Sequence, residues 1–257
     1  MEIELQKVVR KIEEGFEEPI SSEVKAFVLG ESKRIRSKLV IYWLKALGIE
    51  LTDSVYNALA IGEIIHNASL LHDDVLDDAD TRRGQKTLNK KIGSKISILS
   101  GDYLLSLVFN KLQKIDNTKV SSLFGNCMSK MIKGEMSQYF LRGKIPTREE
   151  YLEICKMKTA ELFKTMMESC LLLSGVNSSE AIEFAQTFGL YFQIKNDMET
   201  TSANADRKNG IHTAVDILGI EKTSDLLDNY KEEMRKKLAV LGDSAYKTKL
   251  GDLLREL

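Results

Sequence analysis

Proline is nearly absent from this chain: two in 257 residues, Pro19 and Pro146. That removes the usual interruption of long helices and argues against a turn-rich β domain. Cysteine is scarce too, and Cys127, Cys155 and Cys170 are odd in number and widely spaced. They match neither a disulfide framework nor a metal-ligand pattern, and they suit a reducing, cytoplasmic compartment. No apolar run approaches membrane-spanning length; "SCLLLSG" is far too short. A formal net charge of −1 leaves no global field to recruit nucleic acid or an acidic membrane. The opening "MEIELQKVVRKIEEGF" carries acids at amphipathic spacing and is expected not to be a signal peptide.

What is present is helical periodicity. Apolar residues recur every three or four positions in "VKAFVL", "LVIYWLKAL" and "LLSLVFNKL". The pattern predicts helices near residues 2–16, 21–29, 37–48, 53–79, 94–115, 118–141, 148–175, 179–203, 217–239 and 244–256. Breaks are expected at Gly30, Gly48, "RRGQKT", "GKIPT" and "KNGIHT". None is rich enough in Pro, Gly or Ser to be a domain linker, so one all-α domain over residues 1–257 is expected.

Against that background, "LLHDDVLDDADTRRG" (70–84) gathers five aspartates in eight positions. Asp73 and Asp77 fall on one helix face with Asp74 beside them, where like charges repel by about 0.2–0.5 kcal/mol per pair. Leu70, Leu71, Val75 and Leu76 tie the same helix to a core. Carboxylates so held suit Mg²⁺, a hard cation that takes one or two of them and completes its shell with water and phosphate oxygens. Arg82 and Arg83, directly behind, add charge for a polyanion such as diphosphate. Further basic or polar groups stand at Lys33, Arg34, Arg36 and Lys38, at Lys158 and Thr159, and at Gln193, Asn196, Asp197 and Thr200. Taken alone, each reads as an ordinary helix start or an amphipathic helix, His66 as a core histidine, and Asp102 as a helix N-cap.

Their joint order resembles the trans-isoprenyl diphosphate synthases of the polyprenyl synthetase family. The acidic stretch is similar to that family's first aspartate-rich motif, and "KRIR" to its G-K-R-x-R segment. His66, "SGDYLL", "GEMSQ", "KTAELF" and "FQIKND" follow in the family's order. The resemblance implies an all-α helical bundle of the isoprenoid synthase type with a central cavity. It implies a homodimer, and a Mg²⁺-dependent condensation of isopentenyl diphosphate with an allylic prenyl diphosphate. By the same resemblance Lys33, Arg36, His66 and Arg83 would hold isopentenyl diphosphate, while Arg82, Lys158, Thr159 and Gln193 would touch the allylic diphosphate. Metal ligands would come from Asp73, Asp74 and Asp77 on one side and Asn196 and Asp197 on the other, with Asp73, Asp77 and Lys158 carrying the ionisation.

Three departures stand out. The second motif reads Asn196-Asp197-Met198-Glu199-Thr200, Ile211 replaces a family lysine, and some tens of residues are missing near 215–225. Two rival readings follow. One is a class I terpene cyclase using Asn196 and Thr200, although Asn204 stands where a cyclase has Glu; the other is a non-catalytic partner subunit. Ala68 and Ser69, one turn before Asp73, lack the aromatic ring that closes the tunnel in short-chain members. A product of C20 or longer is therefore expected, with Ile61, Ile65 or Phe109 as candidate floors.

Overall fold

Residues 2–16, 22–30, 32–82, 84–199 and 206–256 are described by the computed structural model. Helices dominate, as the periodicity predicts: α1 Glu2–Glu13, α2 Ser22–Leu29, α3 Ile35–Ala46, α4 Asp53–Leu76, α5 Leu88–Ile92, α6 Ser94–Ile115 and α7 Thr118–Phe140. After them come α8 Arg148–Cys155, α9 Glu161–Leu173, α10 Ser179–Met198, α11 Ala214–Leu218, α12 Ile220–Leu238 and α13 Ala245–Glu256. By its contacts the chain divides into two compact units, Met1–Lys38 with Leu51–Ser121, and Leu39–Glu50 with Ser122–Leu257.

In the first unit α4 is the central element, packed by α6, α1 and α5. Thr52 starts it: its extended backbone lets Oγ1 accept from the Val55 N–H at 3.3 Å. From Val55 to Ile65 every side chain is buried, so the helix has no solvent face there and is enclosed by its neighbours. The buried Glu63 carboxylate accepts from the Ser37 hydroxyl at 2.6 Å and the Ser37 N–H at 3.3 Å, which ties α4 to the start of α3. Helix α4 stops at Leu76 rather than 79, because Asp78 adopts a left-handed backbone at φ 48°.

In the second unit α10 is central, flanked by α9, α12 and α11. Its core is aromatic. Trp43 stacks on Phe184 at 4.9 Å, Phe184 approaches Phe188, and Phe188 meets Phe163 at 5.4 Å. Rings of this kind each stabilise by about 3–5 kcal/mol relative to alanine.

The structure corrects the predicted layout in four places. The "RRGQKT" break contains a two-stranded hairpin, β1 Thr81–Arg82 paired antiparallel with β2 Gln85–Lys86. Gly219, at φ 82°, splits the helix predicted over 217–239 into α11 and α12. The helix predicted over 148–175 is interrupted by a π-turn, Lys156–Ala160. Asp102 is not an N-cap but lies inside α6, with Oδ1 3.3 Å from His72 Nε2.

Candidate active site

Five aspartates share the end of α4 and its connection to β1, and the structure gives them different work. Asp74 is wholly buried, and its Oδ1 accepts from Arg82 Nε at 2.8 Å and Nη2 at 2.7 Å. Its backbone carbonyl accepts from Asn89 Nδ2 at 3.1 Å, which fastens α5 to the same point. Asp78 and Asp80 lie outside the core and pair with Lys90 at 2.7 and 3.3 Å. Asp73 and Asp77 are half-exposed, one turn apart, with the Asp77 N–H donating to the Asp73 carbonyl at 2.9 Å. The clustered negative charge is thus divided between a buried anchor, a surface pair and an accessible helix face. Asp74, grouped with the ligands by the sequence, holds Arg82 through Oδ1.

Arg82 is held in place by this contact on the short hairpin, whereas Arg83 lies outside the described residues. Behind Asp73, His72 lies against α6, where a Cβ on Gly101 would fall 2.3 Å from His72 Nε2. The helices approach that closely because position 101 has no side chain. Of the other sequence candidates in this unit, Lys33 is exposed and Arg36 and His66 are half-buried. Arg34, not assigned a role above, is only 8% exposed at φ 45°, and its Nη1 has no hydrogen-bond partner.

The second unit carries the other cluster. Lys158 Nζ donates to Gln138 Oε1 and pairs with Glu135 on α7. Thr159 Oγ1 donates to Gln193 Oε1 at 2.8 Å, and Gln193 Nε2 donates to Asp197 Oδ1 at 2.9 Å. Asp197 Oδ2 accepts from the Tyr151 hydroxyl at 2.6 Å and the Ala214 N–H at 3.1 Å. Burial raises the Asp197 carboxyl above its usual range, although Tyr151, Ala214 and Gln193 all donate to it. Burial likewise pushes the Tyr151 phenol well up. Asp197 therefore joins α8, α10 and α11. Asn196 is half-buried beside it, and Thr200 and Asn204 lie outside the described residues. Ile211 lines a cleft with Lys158, Gln193, Asp197 and His212. Tyr151 carried no signal in the sequence, where it is an unremarkable member of an amphipathic helix, and Glu135 was visible there only as part of "GEMSQ".

The 206–216 segment is held by Asp216, which takes Arg207 Nη2 at 2.7 Å and the Thr213 N–H at 2.9 Å. Burial opposes ionisation of Asp216, but the bonds from Arg207 and Thr213 win and draw its pKa down to about 2. A depressed carboxylate stabilises the fold above its unfolded pKa, near 4, and loses that contribution as pH falls towards 2. Asp216→Asn is therefore expected to flatten the acid limb of stability between those values. Urea titrations at pH 4.5, 3.5 and 2.5 measure this, and an unchanged pH dependence would refute it.

Among the described residues no helix is long and apolar enough to cross a membrane. The polyprenyl synthetase family pattern matches residues 17–248. Solanesyl-diphosphate synthase 1 of Oryza sativa subsp. japonica is 34% identical over 225 residues, covering 76% of this chain and 52% of its own length. The chain thus spans about half of that relative. A prenyl transferase of Cyanidium caldarium is 31% identical, with 85% of this chain and 72% of that protein aligned. Among solved structures, a geranyltranstransferase from Thermotoga maritima superposes with a TM-score of 0.84 at 28% identity, over 99% of this chain and 96% of that one. With the fold shared across almost the whole chain and the motif order of the sequence matched over residues 17–248, this chain belongs to the polyprenyl synthetase family.

Proposed function

We propose that this chain condenses isopentenyl diphosphate with an allylic diphosphate to give a trans-polyprenyl diphosphate of C20 or longer. The observation that carries the reading is the accessible carboxylate face at the end of α4, beside a fixed arginine. Asp73 and Asp77 stand half-exposed one turn apart on that helix, and Asp74 between them holds Arg82. Two hard carboxylate oxygens on one helix face fit Mg²⁺, and Asp73 and Asp77 would hold it. When bound, the ion supplies positive charge to a departing diphosphate.

The chain's own residues do the rest. Arg82, fixed by Asp74, and Lys158, fixed by Glu135 and Gln138, present cations to the allylic diphosphate and stabilise the charge that develops as its C–O bond breaks. Thr159 and Gln193 supply neutral hydrogen-bonding groups beside Lys158. Lys33, Arg36, His66 and Arg83 bind the second substrate, whose double bond attacks the allylic cation; the cation so formed then loses a proton to the departed diphosphate, giving the lengthened allylic product. A homodimer fits the outer face of α7, where Ile132, Met136 and Phe140, spaced four residues apart, are all more than half exposed. The three cysteines are buried thiols outside any disulfide among the described residues, in keeping with a cytoplasmic location.

Purified protein given radiolabelled isopentenyl diphosphate, farnesyl diphosphate and Mg²⁺ is expected to yield longer prenyl alcohols after phosphatase treatment. Release of cyclic hydrocarbon would favour the cyclase reading, and no turnover of either kind the silent subunit.

Product length has its own test. Ala68 is buried on α4 and Ser69 half-buried, its hydroxyl bonded to the His66 carbonyl at 2.9 Å. Ile61 and Ile65 are buried on the same helix, but Phe109 is 58% exposed and cannot be an enclosed floor within one chain. Ala68→Phe is expected to shift products to shorter lengths, read by chromatography of the dephosphorylated alcohols. An unchanged distribution from a folded variant would remove Ala68 from the tunnel.

A further inference from the structure

Helix α8 runs into α9 through the π-turn Lys156–Ala160, in which the Glu161 N–H donates to the Lys156 carbonyl, five residues back. A π-turn is wider than an α-turn and often marks a functional position. This one meets a glycine on each flank. A Cβ on Gly134 of α7 would lie 2.8 Å from Met157 Cβ and 3.1 Å from the Lys158 backbone nitrogen. A Cβ on Gly189 of α10 would lie 2.5 Å from Ala160 Cα. Both glycines sit inside helices, where each costs about 1 kcal/mol relative to alanine. Close approach, not backbone freedom, is what requires them.

Four residues after each glycine stands a glutamine on the same face. Gln138, in "GEMSQ", accepts from Lys158; Gln193, in "GLYFQ", accepts from Thr159. The two adjacent side chains of the turn are thus captured by different helices. Asp197 closes the arrangement, holding Gln193 and, through Tyr151, the helix that precedes the turn.

We propose that Gly134–Gln138 and Gly189–Gln193 form a clasp that holds the π-turn open and sets the directions of Lys158 and Thr159, so that both glycines are positioning residues for the allylic diphosphate. This rests on the function proposed above. An alanine at either glycine forces the turn sideways and misdirects Lys158 and Thr159, leaving the isopentenyl diphosphate residues untouched.

The test compares Gly134→Ala and Gly189→Ala with Gly125→Ala, a position on α7 where a Cβ meets nothing within 4 Å. Farnesyl diphosphate binding with Mg²⁺ is measured by calorimetry, alongside KM for each substrate and the thermal midpoint. Gly134→Ala and Gly189→Ala should weaken farnesyl diphosphate by about tenfold or more and change the KM for isopentenyl diphosphate less than threefold. Gly125→Ala should change neither. Should Gly189→Ala fail to fold, Gly134→Ala, whose nearest contacts are side-chain atoms, carries the test. Equal losses for both substrates, or a lowered midpoint with farnesyl diphosphate binding intact, would overturn the clasp. Binding without elongation by the wild-type protein would overturn the proposed function instead, and the clasp is still read from the binding measurements.

Discussion

Asp73→Ala is expected to lower turnover by about 10²–10³ while the protein folds normally and keeps most of its affinity for isopentenyl diphosphate. The side chain is half-exposed at the end of α4, so its removal opens no cavity. What it removes is negative charge from the face where Asp73 and Asp77 would hold Mg²⁺, and the cost falls on the ionisation step rather than on ground-state binding. Lys33→Ala serves as the contrast. Lys33 is exposed, ahead of α3, and its loss should weaken isopentenyl diphosphate with a small effect on the allylic substrate. Steady-state kinetics with each substrate varied in turn separate the two. If Lys33→Ala weakened only the allylic substrate, the two diphosphate sites would be exchanged; if Asp73→Ala kept wild-type turnover, the acidic face would not be where ionisation is assisted.

Much of this was legible in the sequence because the signals are periodic. Apolar spacing located α4, α6, α7 and α10 within a few residues, and the acidic stretch announced itself by charge density on an apolar helix. Several features that escaped are set by contacts between elements. The π-turn looks like uninterrupted helix in "CKMKTAEL", since its extra residue leaves no mark on composition. Only the glycines at 134 and 189, costly inside helices, hint that something wide must pass. Asp74 and Asp197 sit in aspartate-rich motifs and look like their neighbours there. Their burial, and the arginine and tyrosine that meet them, depend on β1 and α8 packing against α4 and α10 respectively. Asp102 illustrates the converse. A Gly-Asp pair suggests a helix start, but Gly101 is there to admit the His72 ring, and α6 begins seven residues earlier.

The Asp74–Arg82 contact gives the sharpest test of how the first acidic cluster is divided. Arg82→Met is expected to destabilise the fold by about 3 kcal/mol, at the lower end for a broken buried ion pair, because it strands a charge while Arg82 itself is partly exposed. In a chain of this size that is a fall of about 6–12 °C in Tm. Asp74 is wholly buried, its Oδ2 already lacks a hydrogen-bond partner, and without the guanidinium Oδ1 loses both donors. Adding Asp74→Leu to Arg82→Met should restore most of the loss, since removing both charges is far cheaper than removing one. Thermal unfolding of the two single variants and the double variant gives the coupling directly. Magnesium dependence supplies the second arm. If Asp74 is the arginine's anchor, Asp74→Asn leaves the Mg²⁺ concentration for half-maximal activity unchanged and raises the allylic KM through Arg82. If it is a ligand, the Mg²⁺ requirement rises and the stability effects of the two sites simply add. Additive stabilities together with a raised Mg²⁺ requirement would return Asp74 to the metal and leave Arg82 without its anchor.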